Sequence, residues 1–443
     1  MKVQIPKEVN RILELLYLNK FEGYIVGGCV RDSVLGRDPN DWDICTSAKP
    51  HEMLNIFTQL KVIPTGLKHG TLTIVIGDKN FEITTYRIEE RYIDGRRPEE
   101  IRFTKNLKED LARRDFTINA IAYNNRDGLI DLYKGMSDIL NRKIRCIGNP
   151  LNRFDEDYLR MLRAIRFAAQ LGYEIETKTF EGIKVLSKNI THISKERVRE
   201  EINKILLSEN PSKGFLLLSE SGLLKYIIPE LQQCVKYRYR NDHHGKDVFN
   251  HIMDVLDNTE GNLLLRLGAL LHDVGKFQLS SVHKDNIDNL HIKSMDMVEA
   301  ILKRLKYDNK TIESVKKLVA EHGLNYDNVT ARDIKELINR VGIENIDNLF
   351  KLQIAHIQGS KLTCNFSNIN KAKDLCEKIL KEKQPLTVKE LDINGHELMK
   401  YGVGKGKEIG SILNRLLDIV LDNPSLNRKD LLINEVEKIL NQK

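Results

Sequence analysis

An apolar strand, Tyr24-Ile25-Val26, runs straight into Gly27-Gly28 and on through Cys29-Val30-Arg31-Asp32, and Asp41-Trp42-Asp43 follows nine residues after Asp32. This stretch limits the possible folds more than any other. A strand that ends in two residues without side chains and passes into a helix makes a strand–turn–helix unit whose backbone can approach a phosphate closely. Arg31, early in that helix, adds a fixed positive charge suited to an anion. On a strand, residues i and i+2 face one side, so Asp41 and Asp43 can grip the same hard cations. A Gly-Gly alone is a turn, and an Asp-x-Asp alone is a solvated strand end. In this order and spacing they are the parts that metal-assisted phosphoryl or nucleotidyl transfer requires.

The strand signals crowd into the first part of the chain. A helix is predicted over Lys7–Leu18, then strands at Tyr24–Val26, Asp41–Cys45, Thr71–Ile76 and Phe81–Tyr86, the last two joined by the turn Gly77-Asp78-Lys79-Asn80. From Asp155 onward helical periodicity takes over. A helix is predicted over Asp155–Leu171, ending at Gly172. Ile409, Ile412, Leu413, Leu416, Leu417, Val420 and Leu421 form an apolar stripe stopped by Pro424, which reads as core or interface. The predicted fold class is therefore an α/β head followed by a long helical body. With 443 residues, more than one core is expected. Lys and Arg outnumber Asp and Glu by 70 to 63, a modest surplus of +7 that suits a polyanion without demonstrating one. The six cysteines (29, 45, 146, 234, 364 and 376) lack any C-x-x-C spacing, which argues for a reducing compartment and against a zinc site. No apolar signal core opens the chain and no apolar run approaches a membrane span, so a cytosolic protein is expected.

Two further clusters bear on chemistry. In Arg113-Arg114-Asp115-Phe116-Thr117-Ile118-Asn119-Ala120, cations suit phosphates and the carboxylate suits a ribose hydroxyl, although Asp115 could equally cap a helix. In Glu156-Asp157-Tyr158-Leu159-Arg160, Asp157 and Arg160 are three apart and would share a helix face. A carboxylate beside a guanidinium matches the amino group and ring acceptor of cytosine or adenine. Uracil and guanine would set a carbonyl oxygen against the carboxylate, leaving buried polar groups unpaired at a cost on the order of 1–3 kcal/mol each. The plainer reading is an i,i+3 surface ion pair.

Together these clusters resemble the tRNA nucleotidyltransferase and bacterial poly(A) polymerase family, class II of the polymerase-β-like superfamily, and the match is close to its bacterial CCA-adding branch. Asp131-Leu132-Tyr133-Lys134-Gly135 with Asp138, Ile144-Arg145, and Ile193-Ser194-Lys195-Glu196-Arg197 add to the resemblance, which is specific over residues 20–210. It implies an enzyme that adds C, C and A to tRNA 3′ ends from CTP and ATP without a template, by two-metal nucleotidyl transfer with release of pyrophosphate. Asp41 and Asp43 would bind Mg²⁺, with Glu82 as a third catalytic carboxylate. Gly27, Gly28 and Arg31 would hold phosphates, and Arg114 and Asp115 would contact the sugar. Asp157 and Arg160 would read the base, with Asn119, Arg163 and Arg166 completing the nucleotide site. Glu89–Pro98 looks like the family's flexible loop, intact, so A addition is expected. The chain ends in an amphipathic helix where poly(A) polymerases carry a long basic extension, which favours tRNA over the alternative of an A-adding enzyme or poly(A) polymerase.

In the helical part, His251, His272-Asp273, Gly275-Lys276, His291 and His322 resemble an HD-type metal phosphohydrolase domain. Such domains end on an Asp ligand, and the matching segment here is Ala355-His356. Imidazole can bind a transition metal but cannot bridge as a carboxylate does. Weak or absent hydrolysis is expected, and the other reading is a scaffold for tRNA. A nucleotide-signalling enzyme would carry the same two modules in the opposite order. The expected division is a nucleotidyltransferase head over 1–140, a helical neck over 141–235, an HD-type domain over 236–360 and a helical tail over 361–443.

Overall fold

The structure, a computed structural model, describes residues 3–93, 97–237, 247–277, 287–360, 365–404 and 406–441; at 65, 90–93, 97–100 and 287–293 only the backbone is described. Contacts divide the chain into two compact units, Met1–Gln232 and Gln233–Lys443.

The first unit is built on a mixed sheet. Its strands are β1 (Gly23–Val26), β2 (Asp43–Thr46), β3 (Lys61–Gly66), β4 (Thr71–Ile76), β5 (Lys79–Thr85), β8 (Ile121–Asn124) and β9 (Gly128–Asp131), in the order β3-β4-β5-β2-β1-β8-β9. The β2–β5 pair is parallel and its neighbours are antiparallel. Ile25, Ile44 and Ile83 on adjacent central strands are all but completely buried, each contributing about 1.5–3 kcal/mol by leaving water. The predicted helix Lys7–Leu18 forms, burying Val9, Ile12, Leu13 and Leu16. The β4–β5 hairpin turns on Gly77 at φ +61°, and Lys79 and Asn80, expected in the turn, belong to β5. Strands β3, β8 and β9 carry no clear alternation in sequence and were not expected.

Two expectations need correcting. Glu89–Pro98, read as a loop, is mostly ribbon: β6 (Arg87–Ile93) pairs antiparallel with β7 (Arg97–Phe103) from Arg87↔Phe103 to Ile93↔Arg97. That pairing satisfies backbone groups a loop would leave to water, and residues 94–96 lie outside the described residues. The helix predicted over Asp155–Leu171 is two helices, Pro150–Glu156 and Leu159–Leu171. Asp157 breaks it, extended at φ −147° and ψ 105°, with its carboxylate accepting from the Leu159 N–H at 3.0 Å. An Asp that bonds the backbone two residues on favours a cap over a helix interior. Gly172 ends the second helix at φ +70°, as predicted.

The Asp131–Gly135 and Asp138 positions act as a buttress. Asp131 accepts from the Gly135 and Met136 N–H groups at 2.7 and 2.8 Å, and Asp138 accepts from Thr117 Oγ1 at 2.6 Å and Arg145 Nε at 3.1 Å. They hold the Thr117–Asn119 turn that follows Asp115.

The second unit is helical, including Val248–Asp257, Leu263–Leu271, Ile287–Arg304, Asn309–Glu321, Ile343–Gly359, Lys407–Asp422 and Lys429–Asn441. The stripe on Lys407–Asp422 is core: Ile412, Leu416 and Val420 pack with Leu398, Leu432 and Val436, and Ile409, Leu413 and Leu417 lie against them.

A Cβ on Gly135 would lie 2.2 Å from the Thr117 carbonyl oxygen and 2.8 Å from Ile121 Cγ1. Gly135→Ala should therefore destabilise the first unit by about 1–3 kcal/mol. Urea denaturation checks it, and an unchanged midpoint would contradict the buttress.

Candidate active site

The carboxylates come first. Asp43 opens β2 and Asp41 lies two residues before it, outside the strand expected to begin there, yet near enough for its charge to act on Asp43. Both are exposed. Parallel pairing of β2 with β5 puts Glu82 directly opposite Asp43 in register, and Glu82 is exposed too. Packing around the Asp43 carboxylate raises its pKa, Arg114 and Arg163 oppose the rise, and Asp41 adds to it. A cation among these groups would relieve both effects. The set is all oxygen and accessible, which fits a hard divalent ion.

Gly27 caps the helix Gly28–Val34 at φ +86°, a conformation open to few residues other than glycine. A Cβ there would approach Arg114 Nη1 to 3.3 Å and Asp43 Oδ2 to 3.8 Å, so this bare backbone adjoins both the carboxylates and a guanidinium. A Cβ on Gly28 would lie 3.7 Å from Arg31 Nη2. Arg114 is anchored by Asp110, which is fully buried between Arg113 and Arg114 at 2.9 and 3.3 Å.

A chain of polar side chains connects the remaining candidates. Arg31 binds Asp32 through Nε and Nη2, both at 2.9 Å, and donates from Nη1 to Asn119 Oδ1 at 2.7 Å. Asn119 Nδ2 donates to Asp115 Oδ1 at 3.2 Å, which also accepts from the Phe116 N–H at 2.8 Å. Asp115 Oδ2 takes Arg163 Nη2 at 2.6 Å and Nε at 2.8 Å. Burial alone would raise the Asp115 pKa, but Arg163, with help from Arg160 and Asn119, outweighs it and brings the value down to about 2. Arg166 pairs with the buried Glu201 at 2.7 Å. Phe167 lies under the guanidinium groups of Arg31, Arg163 and Arg166 at 5.1, 5.5 and 4.2 Å from its centroid. Neither Phe167 nor Glu201 was picked out from sequence; the i,i+4 spacing of Arg163 and Phe167 was the available signal.

Asp157 and Arg160 are not paired with each other. Asp157 Oδ2 holds Arg197 Nη2 at 2.9 Å, while Arg160 bonds Glu156, the Arg153 carbonyl at 2.9 Å and the Arg113 carbonyl at 3.1 Å. The helix break at Asp157 accounts for this, because only Arg160 lies within the helix Leu159–Leu171.

In the second unit, His251, His272, Asp273 and His356 offer ligand atoms that all lie within 4.8 Å of one another. His272 and Asp273 are 2 % exposed. His272 Nδ1 faces the Ala269 carbonyl at 2.7 Å, which turns Nε2 toward the cluster. His322 Nε2 lies 3.6 Å from Asp273 Oδ1 and its ring is 5.4 Å from that of His356. Burial and the neighbouring His272 push the His356 pKa down to about 2. His291 is on the helix Ile287–Arg304, but its side chain lies outside the described residues.

Comparison with known proteins follows this geometry. Residues 23–145 match the family described as "Poly A polymerase head domain", 172–234 that described as "Probable RNA and SrmB- binding site of polymerase A", and 289–436 that of tRNA nucleotidyltransferase domain 2. A CCA-adding enzyme of Ligilactobacillus salivarius is 34% identical over 99% of this chain and 98% of its own. That of Lactococcus lactis is 32% identical over 99% and 100%. The crystal structure of the Bacillus stearothermophilus CCA-adding enzyme in complex with CTP superposes with a TM-score of 0.77 at 25% identity, covering 99% of this chain and 100% of that one. With such identity sustained along nearly the whole of both chains, the protein belongs to the CCA-adding enzyme family.

Proposed function

We propose that this enzyme adds C, C and A to the 3′ end of tRNA from CTP and ATP, without a nucleic-acid template and with release of pyrophosphate. The reading rests above all on Glu82 standing in register with Asp43, beside Asp41, Gly27 and Arg114. Its relatives are CCA-adding enzymes, and one of known structure was solved with CTP.

Asp41, Asp43 and Glu82 would hold Mg²⁺, whose all-oxygen preference they meet. Such ions lower the pKa of the attacking 3′-hydroxyl and neutralise charge on the triphosphate. The chain supplies the rest. Gly27 lets backbone N–H groups come close to the phosphates, and Arg114, fixed by Asp110, offers a cation to them. Arg163 and Asn119 hold Asp115 ionised and aimed, ready to accept from a sugar hydroxyl. Arg31, engaged by Asp32 and Asn119, braces this network more directly than it grips a phosphate. Arg166, held by Glu201, extends it. For base reading, Asp157 exchanges Arg197 for the amino group of cytosine or adenine, and Arg160 exchanges Glu156 for the ring acceptor.

Among the described residues no helix is long and apolar enough to cross a membrane. Cys29, Cys45, Cys146 and Cys376 carry free thiols, in keeping with a reducing cytoplasm. In the second unit, the cluster of His251, His272, Asp273 and His356 would take a transition metal, since imidazole donors suit such ions better than Mg²⁺.

Asp43→Ala and Asp41→Ala should each lower incorporation of both C and A by on the order of 10³-fold. Affinity for tRNA, which rests on basic contacts, should stay near normal. Single-nucleotide incorporation and filter binding on tRNA lacking its CCA end check this; a folded variant with near-native turnover would refute the assignment. Arg160→Ala should reduce the preference for CTP over UTP on the order of 10-fold, with a smaller change in triphosphate affinity. Competition between the two nucleotides measures it, and unchanged preference removes Arg160 from base reading.

A further inference from the structure

Three ligand atoms of the histidine cluster have the spacing of a single coordination sphere, and the fourth, on His356, lies within 4.8 Å of them. His251 Nε2 and His272 Nε2 are 3.3 Å apart, His272 Nε2 and Asp273 Oδ2 are 3.2 Å apart, and His251 Nε2 and Asp273 Oδ2 are 3.5 Å apart. A tetrahedron with metal–ligand bonds of about 2.0–2.1 Å has edges of about 3.3 Å. The Ala269 carbonyl engages His272 Nδ1, which leaves Nε2 directed at the His251 nitrogen and the Asp273 carboxylate. The buried Asp273 Oδ2 makes no well-formed hydrogen bond of its own. A cation placed among these three atoms would satisfy all of them. Lys276 Nζ, 2.7 Å from Asp273 Oδ2, supplies part of that charge, and its side chain, 39% exposed, is able to swing out to solvent.

The fourth member decides the type of site. His356 comes from the helix Ile343–Gly359, with its ring 5.1 Å from that of His251 and 5.3 Å from that of His272. An imidazole there gives one lone pair to one ion. It neither bridges to a second ion nor vacates a position as a carboxylate can by changing from two-oxygen to one-oxygen binding. Three imidazoles and one carboxylate fill four positions, and a hydrolytic centre has to keep one of them for water. His322 lies outside this set, 3.6 Å from Asp273 Oδ1, whereas His251 and His272 approach the other oxygen, Oδ2. The cysteine spacing that argued against zinc does not bear on a set made of imidazoles.

Building on the transition-metal reading above, we infer that His251, His272, Asp273 and His356 form a closed, four-coordinate site for a zinc-class divalent ion, which pins the helices Val248–Asp257, Leu263–Leu271 and Ile343–Gly359 together and does not hydrolyse phosphoesters. The ion is bound where three helices meet, so its loss loosens the second unit and leaves the Asp41 and Asp43 chemistry in place.

The test uses the full-length protein. Metal content after purification without chelator should be one zinc-class ion per chain. After chelation, one equivalent of Zn²⁺ should raise the Tm by on the order of 5 °C, and His356→Ala should lose both the ion and the shift. Co²⁺-loaded native protein, which depends on no variant folding, should show the intense visible absorption of tetrahedral cobalt. CCA addition with Mg²⁺ should be the same with and without Zn²⁺. Absence of bound metal together with an unmoved Tm overturns both this inference and the transition-metal reading. One bound ion with weak, six-coordinate cobalt bands, two ions per chain, or phosphodiester hydrolysis lost in His272→Ala overturns the closed site alone.

Discussion

A buried carboxylate needs partners for every oxygen, and the head of this protein is organised around that demand at Asp115. Its two oxygens are claimed by the Phe116 N–H, Asn119 and Arg163, so one charge ties the turn before β8 to the helix Leu159–Leu171. Removing Arg163 would leave an uncompensated buried ion, at a cost of several kcal/mol, whereas losing Asn119 would cost a single hydrogen bond. Through Asn119 the same charge fixes Arg31 beside the glycine turn, and through Arg163 it fixes the aromatic plate of Phe167. The sheet brings the carboxylates together; the Asp115 network decides what stands opposite them.

How much of this was legible in the sequence depended on how local the signal was. The strand–glycine–helix unit and the two aspartates could be read because each lies within a few residues of its neighbours. Glu82 could be named, but not that it stands opposite Asp43, because strand pairing is set by the sheet as a whole. Helical spacing suggested that Asp157 and Arg160 share a face, and the spacing misled. The carboxylate of Asp157 bonds backbone instead, and no periodicity reports that choice. Strand β8 was missed since four wholly buried residues show no alternation. Asn119 was named as a nucleotide contact, and its place as the bridge between Arg31 and Asp115 came only from three dimensions.

The second unit shows the reverse case. His251, His272, His322 and His356 are spread widely over the sequence, yet each sits on or at the end of a helix, and helix packing converges them. The sequence carries the residue types and their order; the distances among the ligand atoms are what support a single-ion reading. Glu82, Arg163 and His356 are carried on a strand or helix, while Asp41, Asp115 and Asp157 sit at the turns and breaks beside such elements.

The engaged state of Asp157 and Arg160 has a thermodynamic consequence. On the proposed base-reading role, Arg197 and Glu156 would behave as tethered surrogate ligands, present at high effective concentration, for an incoming base to displace. Such internal competition weakens every nucleotide by the same amount and so leaves the ratio between right and wrong bases untouched. It also spares the empty enzyme the cost of a bare buried Arg160 and a half-buried Asp157. A protein made this way gives up some affinity in return for a resting site whose charges are already paired.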